Sequence, residues 1–337
     1  MHVAVDAHNL LADRRGIGVY LRAVLSRMLK NGACELTLLV RHPLPTLKKR
    51  ALAAELGSTA FHVASRIPRT ADVAWHPWNG TFFTGATRNV VTMHDVVPFA
   101  FPDPDVRARR SQQEPFELSA RTADRILADS GFTKGEIEKH LRVAAHRIEV
   151  VPLAADSLFS PGEPKALPPA LRGQQYVLYV GTLEAHKNVE VLIEAWRESL
   201  VPRGIALVMV GPDKALDDVV ALRNVPALEL RDLYRGALCL ALPSLYEGFG
   251  LPALEALACG TPAIVSRASS LPEVCGDAAQ YVDSPQDSAA WGSALGRIAV
   301  DENLRADLAR RGPVQAAKFS WDGATAQTLA ALEVAAQ

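Results

Sequence analysis

The chain has 337 residues, enough for two domains of ordinary size, and at 49% hydrophobic and 22% charged it has the composition of a folded globular protein. A formal net charge of −1 gives no whole-chain case for nucleic acid as a partner, and no apolar run is long enough to cross a bilayer. The four cysteines, Cys34, Cys239, Cys259 and Cys275, have no C-x-x-C spacing, so reduced core thiols in a cytosolic protein are expected.

Met1-His2-Val3 leads straight into an apolar strand, His2–Asp6, with no basic and apolar leader pattern ahead of it. A loop, 10–15, precedes Gly16-Ile17-Gly18, which opens an amphipathic helix through Lys30. A strand (35–41) and a helix (47–56) follow, then apolar runs at 60–64, 72–75 and 89–93. Residues 111–123 read as a helix, 125–128 as a strand, 134–141 as a helix and 147–153 as a strand. This alternation predicts a parallel α/β sheet. Residues 160–173, SPGEPKALPPALRG, have no periodicity and read as an interdomain linker. Alternation then restarts, with strands at 176–180 and 205–210 and helices at 189–198 and 228–237. The tail carries helical patterns at 288–300, 303–319 and 321–336. Two doubly wound α/β domains are therefore expected, residues 1–165 and 166–319, with a final helix in 320–337. Ligands in such sheets bind beyond the carboxyl ends of the strands, in a cleft.

The most informative stretch is LCLALPSLYEGFGLPALEALACGTPAIVS, residues 238–266. An apolar strand stops at Pro243-Ser244, and Glu247-Gly248-Phe249-Gly250 forms a loop. Pro252 stands where a helix tolerates a missing N–H, and Gly260 ends that helix. A strand feeding a glycine loop at a helix start is an anion site. The backbone N–H groups of Phe249, Gly250 and Leu251 can point at phosphate or sugar. Glu247 and Glu255 would repel phosphate, so they should face hydroxyls. Phosphate and polyol together describe a sugar nucleotide.

This stretch closely resembles the E-x7-E signature of the family 4 retaining glycosyltransferases. The resemblance implies a GT-B fold of two Rossmann-like domains with a cleft between them. It also implies a final helix that crosses back to the first domain. On the family's pattern Glu247 lies near the sugar hydroxyls and Glu255 binds the nucleotide ribose. VVTMHDVVPFAFP resembles the segment that carries a histidine at the donor sugar, which implies that role for His94. GTLEAHKN resembles the loop that binds the donor diphosphate, and Lys187 matches its lysine. His186 replaces the usual arginine there, and Thr182 stands where some members have another, so His186, Arg14 or Arg15 are left as candidates for a second cation. The nucleobase segment (221–230) has Arg223-Asn224-Val225 in place of the family's glycine, with Val225 as the base contact. Gly16 and Gly18 resemble the family's first-domain loop and are candidate phosphate-facing residues; a tight turn is the alternative.

The expected activity is retaining transfer of a hexose from a nucleotide-diphosphate sugar to a glycan, lipid-linked or small-molecule hydroxyl. The mannosyltransferase-like branch points to GDP-mannose, with UDP- and dTDP-sugars open. No metal or other cofactor is expected, because Asp103-Pro104-Asp105 adjoins no strand and reads as a turn. Two alternatives remain. Gly248 to Ala253 also spells G-x-G-x-x-A, which would suit an NAD(P)-dependent oxidoreductase, and a non-catalytic sugar-nucleotide-binding subunit would keep the same residues. The first 165 residues carry 22 Lys/Arg against 17 Asp/Glu and the rest 14 against 20. A basic first half suits peripheral contact with an anionic membrane or acceptor, at the inner face of the membrane for a cytoplasmic enzyme.

Overall fold

In the computed structural model, residues 1–14, 16–85, 88–212 and 216–337 are described. They form two compact units: Met1–Leu153 with Ser320–Gln337, and Ala154–Phe319. The Pro-rich stretch 160–173 therefore belongs to the second unit and does not mark the boundary. Its start is fixed by Arg235, whose guanidinium donates to Ser160 O and Pro161 O. Asp232 then accepts the N–H groups of Lys165 and Ala166. Proline supplies the irregularity, and side chains of one helix satisfy the backbone that irregularity leaves unpaired.

The first unit is built on strands β1 (His2–Asp6), β2 (Glu35–Leu39), β3 (His62–Ala64), β4 (Val73–His76), β5 (Asn89–Met93), β6 (Arg125–Ala128) and β7 (Ile148–Val150). All pairings are parallel, in the order β3-β2-β1-β4-β5-β6-β7. The central strands are apolar on both faces and wholly buried, as helices on each side of a parallel sheet require. The chain runs outward from β1 to β3, then returns to start again at β4. That reversal puts the switch point of the sheet between β1 and β4.

Helix Trp321–Ala336 completes this unit, packing along helix Gly16–Asn31. Ser320 caps it through the N–H of Gly323, Arg27 Nε donates to Asp322 at 2.7 Å, and the Trp321 ring meets Tyr20 at 6.2 Å. The final helix is thus part of the first unit, although 166 residues of the other unit separate it from Leu153.

The second unit contains β8 (Tyr176–Val180), β9 (Ala206–Val210), β10 (Val220–Leu222), β11 (Cys239–Leu242), β12 (Ala263–Ser266) and β13 (Gln280–Val282). These too are all parallel, in the order β10-β9-β8-β11-β12-β13, with the switch point between β8 and β11. β10 overlaps the start of the nucleobase segment, 221–230. It is a short half-buried edge strand and leaves little apolar signal. The four cysteines are unpaired, and Cys239, Cys259 and Cys275 are buried. Among the described residues no helix is long and apolar enough to cross a membrane.

Candidate active site

Two loops meet at the second switch point. The loop after β8 tightens into a 3-10 turn, Ala185–Lys187. Asn188 follows in left-handed geometry, φ 54°, which asparagine tolerates better than most residues. Its amide donates to Pro243 O and Pro285 O, and helix Val189–Ser199 starts from there. This aims Lys187 across the switch point at the loop after β11. Lys187 Nζ lies 2.8 Å from Glu247 Oε1. Ser244 Oγ donates to the same oxygen at 2.7 Å. Glu247 Oε2 takes no hydrogen bond among the described residues. The Glu247 backbone is held as firmly: its N–H donates to Ser269 Oγ, and its carbonyl accepts from Ser270 Oγ. Ser269 has φ 54°. A non-glycine residue held left-handed costs about 1–2 kcal/mol, and here its hydroxyl clamps the loop that carries Glu247.

The loop then enters helix Leu251–Ala258 through Gly250, at φ 97°. That positive φ favours glycine, and a Cβ there would in addition lie 2.8 Å from Leu271 Cδ2, at the end of a side chain that would have to move. No side chain caps this helix, and Pro252 stands in its first turn. Ala253 and Leu254 N–H already bond Gly250 O and Pro252 has no N–H, so the start offers a ligand the Leu251 N–H and the positive end of the helix dipole. Phe249 is buried against Phe319, with ring centroids at 5.6 Å, which leaves its backbone as the part that can meet a ligand. Leu251 is half-buried and Gly248 lies in the same turn.

Glu255 sits one turn into this helix, partly buried, and Tyr234 Oη donates to its Oε2 at 2.9 Å. Burial pushes the Glu255 carboxyl up to about 7; the Tyr234 bond opposes the rise and Asp156 adds to it. Glu255 is thus a hydrogen-bonding carboxyl poised between its two charge states near neutrality.

Thr182 lies beside this cluster but turns its hydroxyl to Glu184, at 2.9 Å. His186 is buried, with Nε2 3.7 Å from Glu184 Oε2. Arg14 pairs with Glu55 in the first unit, and Arg15 lies outside the described residues. Val225 is half-buried in the loop after β10. The neighbouring Asn224 adopts φ 50°, so asparagine serves where the resembling segment has glycine.

In the first unit His94 follows β5. Both of its ring nitrogens are committed: Nδ1 to Asp129 Oδ2 at 2.7 Å and Nε2 to Pro77 O at 3.1 Å. Burial alone would lower the His94 pKa, but the Asp129 carboxylate and these acceptors outweigh it and raise it. The imidazole is thereby an internal tie between strand ends, with no ring nitrogen left for a sugar. Its carbonyl accepts from Thr133 Oγ1 at 3.4 Å. Asp95 accepts the N–H of Val97 and shapes the loop. Ser130 caps helix Gly131–Leu141 through Thr133 N.

Gly16 opens its helix and Gly18 lies in the first turn, buried. A Cβ on Gly18 would stand 2.1 Å from Asp13 O, so its smallness admits the chain's own loop. Asp105 caps helix Val106–Thr122 through the N–H groups of Arg107 and Ala108, and Asp103 accepts the N–H of Asp105. Among the described residues no group of three or more His, Cys, Asp or Glu could hold a metal ion.

Sequence reasoning missed three contributors. Ser244 had a local signal, a hydroxyl three residues before Glu247 at a strand end. Tyr234 and Asp129 had none, because their partners lie 21 and 35 residues away.

Two parallel sheets, each flanked by helices and each with a switch point, are the architecture of the GT-B glycosyltransferases. Residues 168–315 match the family model described as glycosyl transferases group 1. The O-antigen chain mannosyltransferase B of Escherichia coli is 35% identical over 271 residues, covering 73% of this chain and 70% of that protein. The MMP alpha-(1->4)-mannosyltransferase of Mycolicibacterium hassiacum is 34% identical, covering 64% of this chain and 55% of its own length. Among solved structures, Anabaena Alr3699/HepE in complex with UDP-glucose superposes with a TM-score of 0.75 at 14% identity, covering 99% of this chain and 100% of that one. The chain belongs to the glycosyl transferases group 1 family and is a glycosyltransferase. The oxidoreductase alternative falls with that membership. Its glycine loop is accounted for by the turn at Gly250.

The Glu255 carboxyl gives a signed pH dependence. Its folded pKa, about 7, lies above the ordinary 4.5. The folded state therefore holds the proton more tightly, and stability falls as pH rises from about 4.5 to 7. Glu255→Gln keeps an acceptor for Tyr234 and removes the titration. The variant should lose this decline, with a relative gain on the order of 2 kcal/mol at pH 8. Denaturant melts of both proteins at pH 5 and pH 8 measure it; parallel pH profiles would show that Glu255 does not titrate in this range.

Proposed function

We propose that this enzyme transfers a hexose from a nucleotide-diphosphate sugar to a hydroxyl acceptor with retention of anomeric configuration. The second unit takes the donor and the first the acceptor. The observation that carries the reading is the Lys187–Glu247–Ser244 cluster beside the uncapped start of helix Leu251–Ala258. Lys187 and the helix start supply positive charge for a diphosphate. Glu247 offers a free oxygen to sugar hydroxyls, and Glu255 one to the ribose.

In the reaction the bond from anomeric carbon to phosphate oxygen breaks as the acceptor oxygen bonds to that carbon on the same face. The acceptor proton passes to the departing diphosphate. Positive charge builds on the sugar as its bond breaks, and the Glu247 carboxylate opposes it most at that moment. His94 contributes through its loop and carbonyl, since its ring is committed to Asp129 and Pro77. GDP-mannose is the first donor to try, because the Escherichia coli and Mycolicibacterium relatives are named mannosyltransferases.

A ligand that binds only the folded state raises the melting temperature by mass action. One sugar nucleotide among GDP-mannose, UDP-glucose and dTDP-glucose should do so, and Lys187→Ala should weaken it about tenfold or more, as loss of a charge-assisted bond requires. No shift with any of them, or an unchanged affinity in the variant, counts against the donor site.

Turnover is proposed to need no divalent metal, since Asp103 and Asp105 are spent on backbone N–H groups. Activity should survive EDTA; loss on chelation with recovery on Mg²⁺ or Mn²⁺ would reverse this.

Peripheral membrane contact at the cytoplasmic face is proposed for the first unit. Lys48 and Arg50 are exposed beside Leu44 and Leu47, and Arg107 and Arg110 beside Phe101 and Val106. Cationic and apolar groups side by side suit an anionic bilayer surface. The protein should cosediment with anionic vesicles at low salt and release as salt shortens the Debye length below about 8 Å. Equal recovery with zwitterionic vesicles would argue against it.

A further inference from the structure

The first sheet has its own switch point, between β1 and β4, and the donor chemistry does not use it. Asp6 ends β1 and His76 ends β4, one register step beyond the Val5–Trp75 pair. Both are fully buried, and each keeps one polar atom with no hydrogen-bond partner, Asp6 Oδ2 and His76 Nδ1. Buried polar atoms are satisfied in the great majority of cases, so two on neighbouring strand ends ask for a ligand or water. The other oxygen of Asp6 is fully engaged. It accepts His8 Nδ1–H at 2.6 Å and the His8 N–H at 3.1 Å. That fixes the ring's tautomer: Nδ1 donates to the carboxylate, and Nε2 of the neutral ring is an acceptor. Nε2 has no partner among the described residues.

The walls are aromatic. Trp78, held by its Nε1–H on Asp6 O at 2.8 Å, meets the His8 ring at 5.6 Å. Phe82 meets it edge-on at 5.4 Å and is 37% exposed, large for a phenylalanine beside a sheet core. The Arg41 guanidinium lies 5.2 Å from the Phe82 centroid. Oriented acceptor atoms beside an open aromatic ring match a pyranose: C–H groups on one face, hydroxyl hydrogens at the edge. A phosphate would meet only acceptors at Asp6 and His8.

We propose that this switch point is the acceptor subsite and takes a neutral pyranose, whose apolar face covers Phe82, backed by the buried Trp78, and whose hydroxyl donates to His8 Nε2, with Asp6 as the residue that positions His8. The proposal deepens the reading that the first unit takes the acceptor, and rests on it. It narrows the acceptor from any hydroxyl compound to a sugar without charge at the contacted ring.

The test is saturation-transfer NMR on the full chain, irradiating aromatic protons, with methyl α-mannopyranoside, methyl α-glucopyranoside and methyl β-galactopyranoside as probes. At least one should receive saturation on its ring protons. Phe82→Ala, a change at an exposed side chain, should reduce that signal severalfold. His8→Asn keeps a donor for Asp6 and lacks the Nε2 acceptor; it should weaken binding about two- to tenfold, the worth of one hydrogen bond. No saturation of any pyranoside by the parent protein overturns the proposal. So does wild-type binding in both variants, or binding of myo-inositol phosphate in place of the neutral sugars. Melting shifts with the sugar nucleotides are read on the same parent sample. A donor shift without pyranoside binding sinks this subsite alone, whereas absence of any donor shift sinks the functional reading beneath it.

Discussion

A lysine and a glutamate 2.8 Å apart tie two loops across the second switch point, and much of the candidate site depends on that contact. Neither group is well solvated: the side chains are 18% and 10% exposed. Such a pair gains little net stability, because desolvation of both charges offsets most of their attraction. What it gives is placement. Lys187 comes from the turn after β8 and Glu247 from the loop after β11, and each fixes the other where a ligand would lie. The three serines extend this. Ser244 shares the carboxylate oxygen that Lys187 uses, while Ser269 and Ser270 hold the backbone on either side of it. Removing the lysine would thus disturb the glutamate, and the effects of substituting the two would not add.

The first unit solves a related problem differently. His94 and Asp129 are a buried pair at the ends of β5 and β6, and the same histidine reaches back to Pro77 beyond β4. Three strand ends are joined through one ring. Tyr20 packs on that ring edge-on at 5.0 Å, and burial holds its hydroxyl well above the usual phenol range. A histidine in this setting is a structural tie, and its effect on a reaction would come through the loop it anchors.

The fold was legible in the sequence where buried strands carry continuous apolar runs between clear breakers. Residues 2–6, 89–93, 125–128 and 176–180 have in the structure the bounds that their apolar runs predict. Legibility fails at edges: β10 and β13 are three residues long and, Val282 apart, only half buried, so burial hardly constrains their composition. Helix Val106–Thr122 begins five residues before the apolar pattern does, because its start is fixed by the Asp105 cap and its first turns are polar. In the site, local patterns exposed Glu247, Glu255 and Lys187. The Lys187–Glu247 contact was not legible, since 60 residues separate the partners and only the sheet order brings their strands side by side. For the same reason, composition could not say that the ring of His94 faces Asp129.

The two switch points share a plan and differ in chemistry. In each, a residue just after the first central strand meets one from just after its neighbour across the reversal in strand order. At the second, a cation and an uncapped helix start stand beside carboxylates, a mixture that suits a charged diphosphate joined to hydroxyls. At the first, acceptor atoms and aromatic rings surround Asp6 and His8, and the positive groups near them are engaged: Arg41 against Phe82, and Arg22 with the carbonyls of Leu10 and Asp13. A diphosphate placed there would meet the acceptor atoms of Asp6 and His8, and a neutral sugar placed against Lys187 would leave that charge without an anion from the ligand. On the proposed reading, electrostatics favours the anionic donor at one sheet and a neutral acceptor at the other before any finer shape is considered.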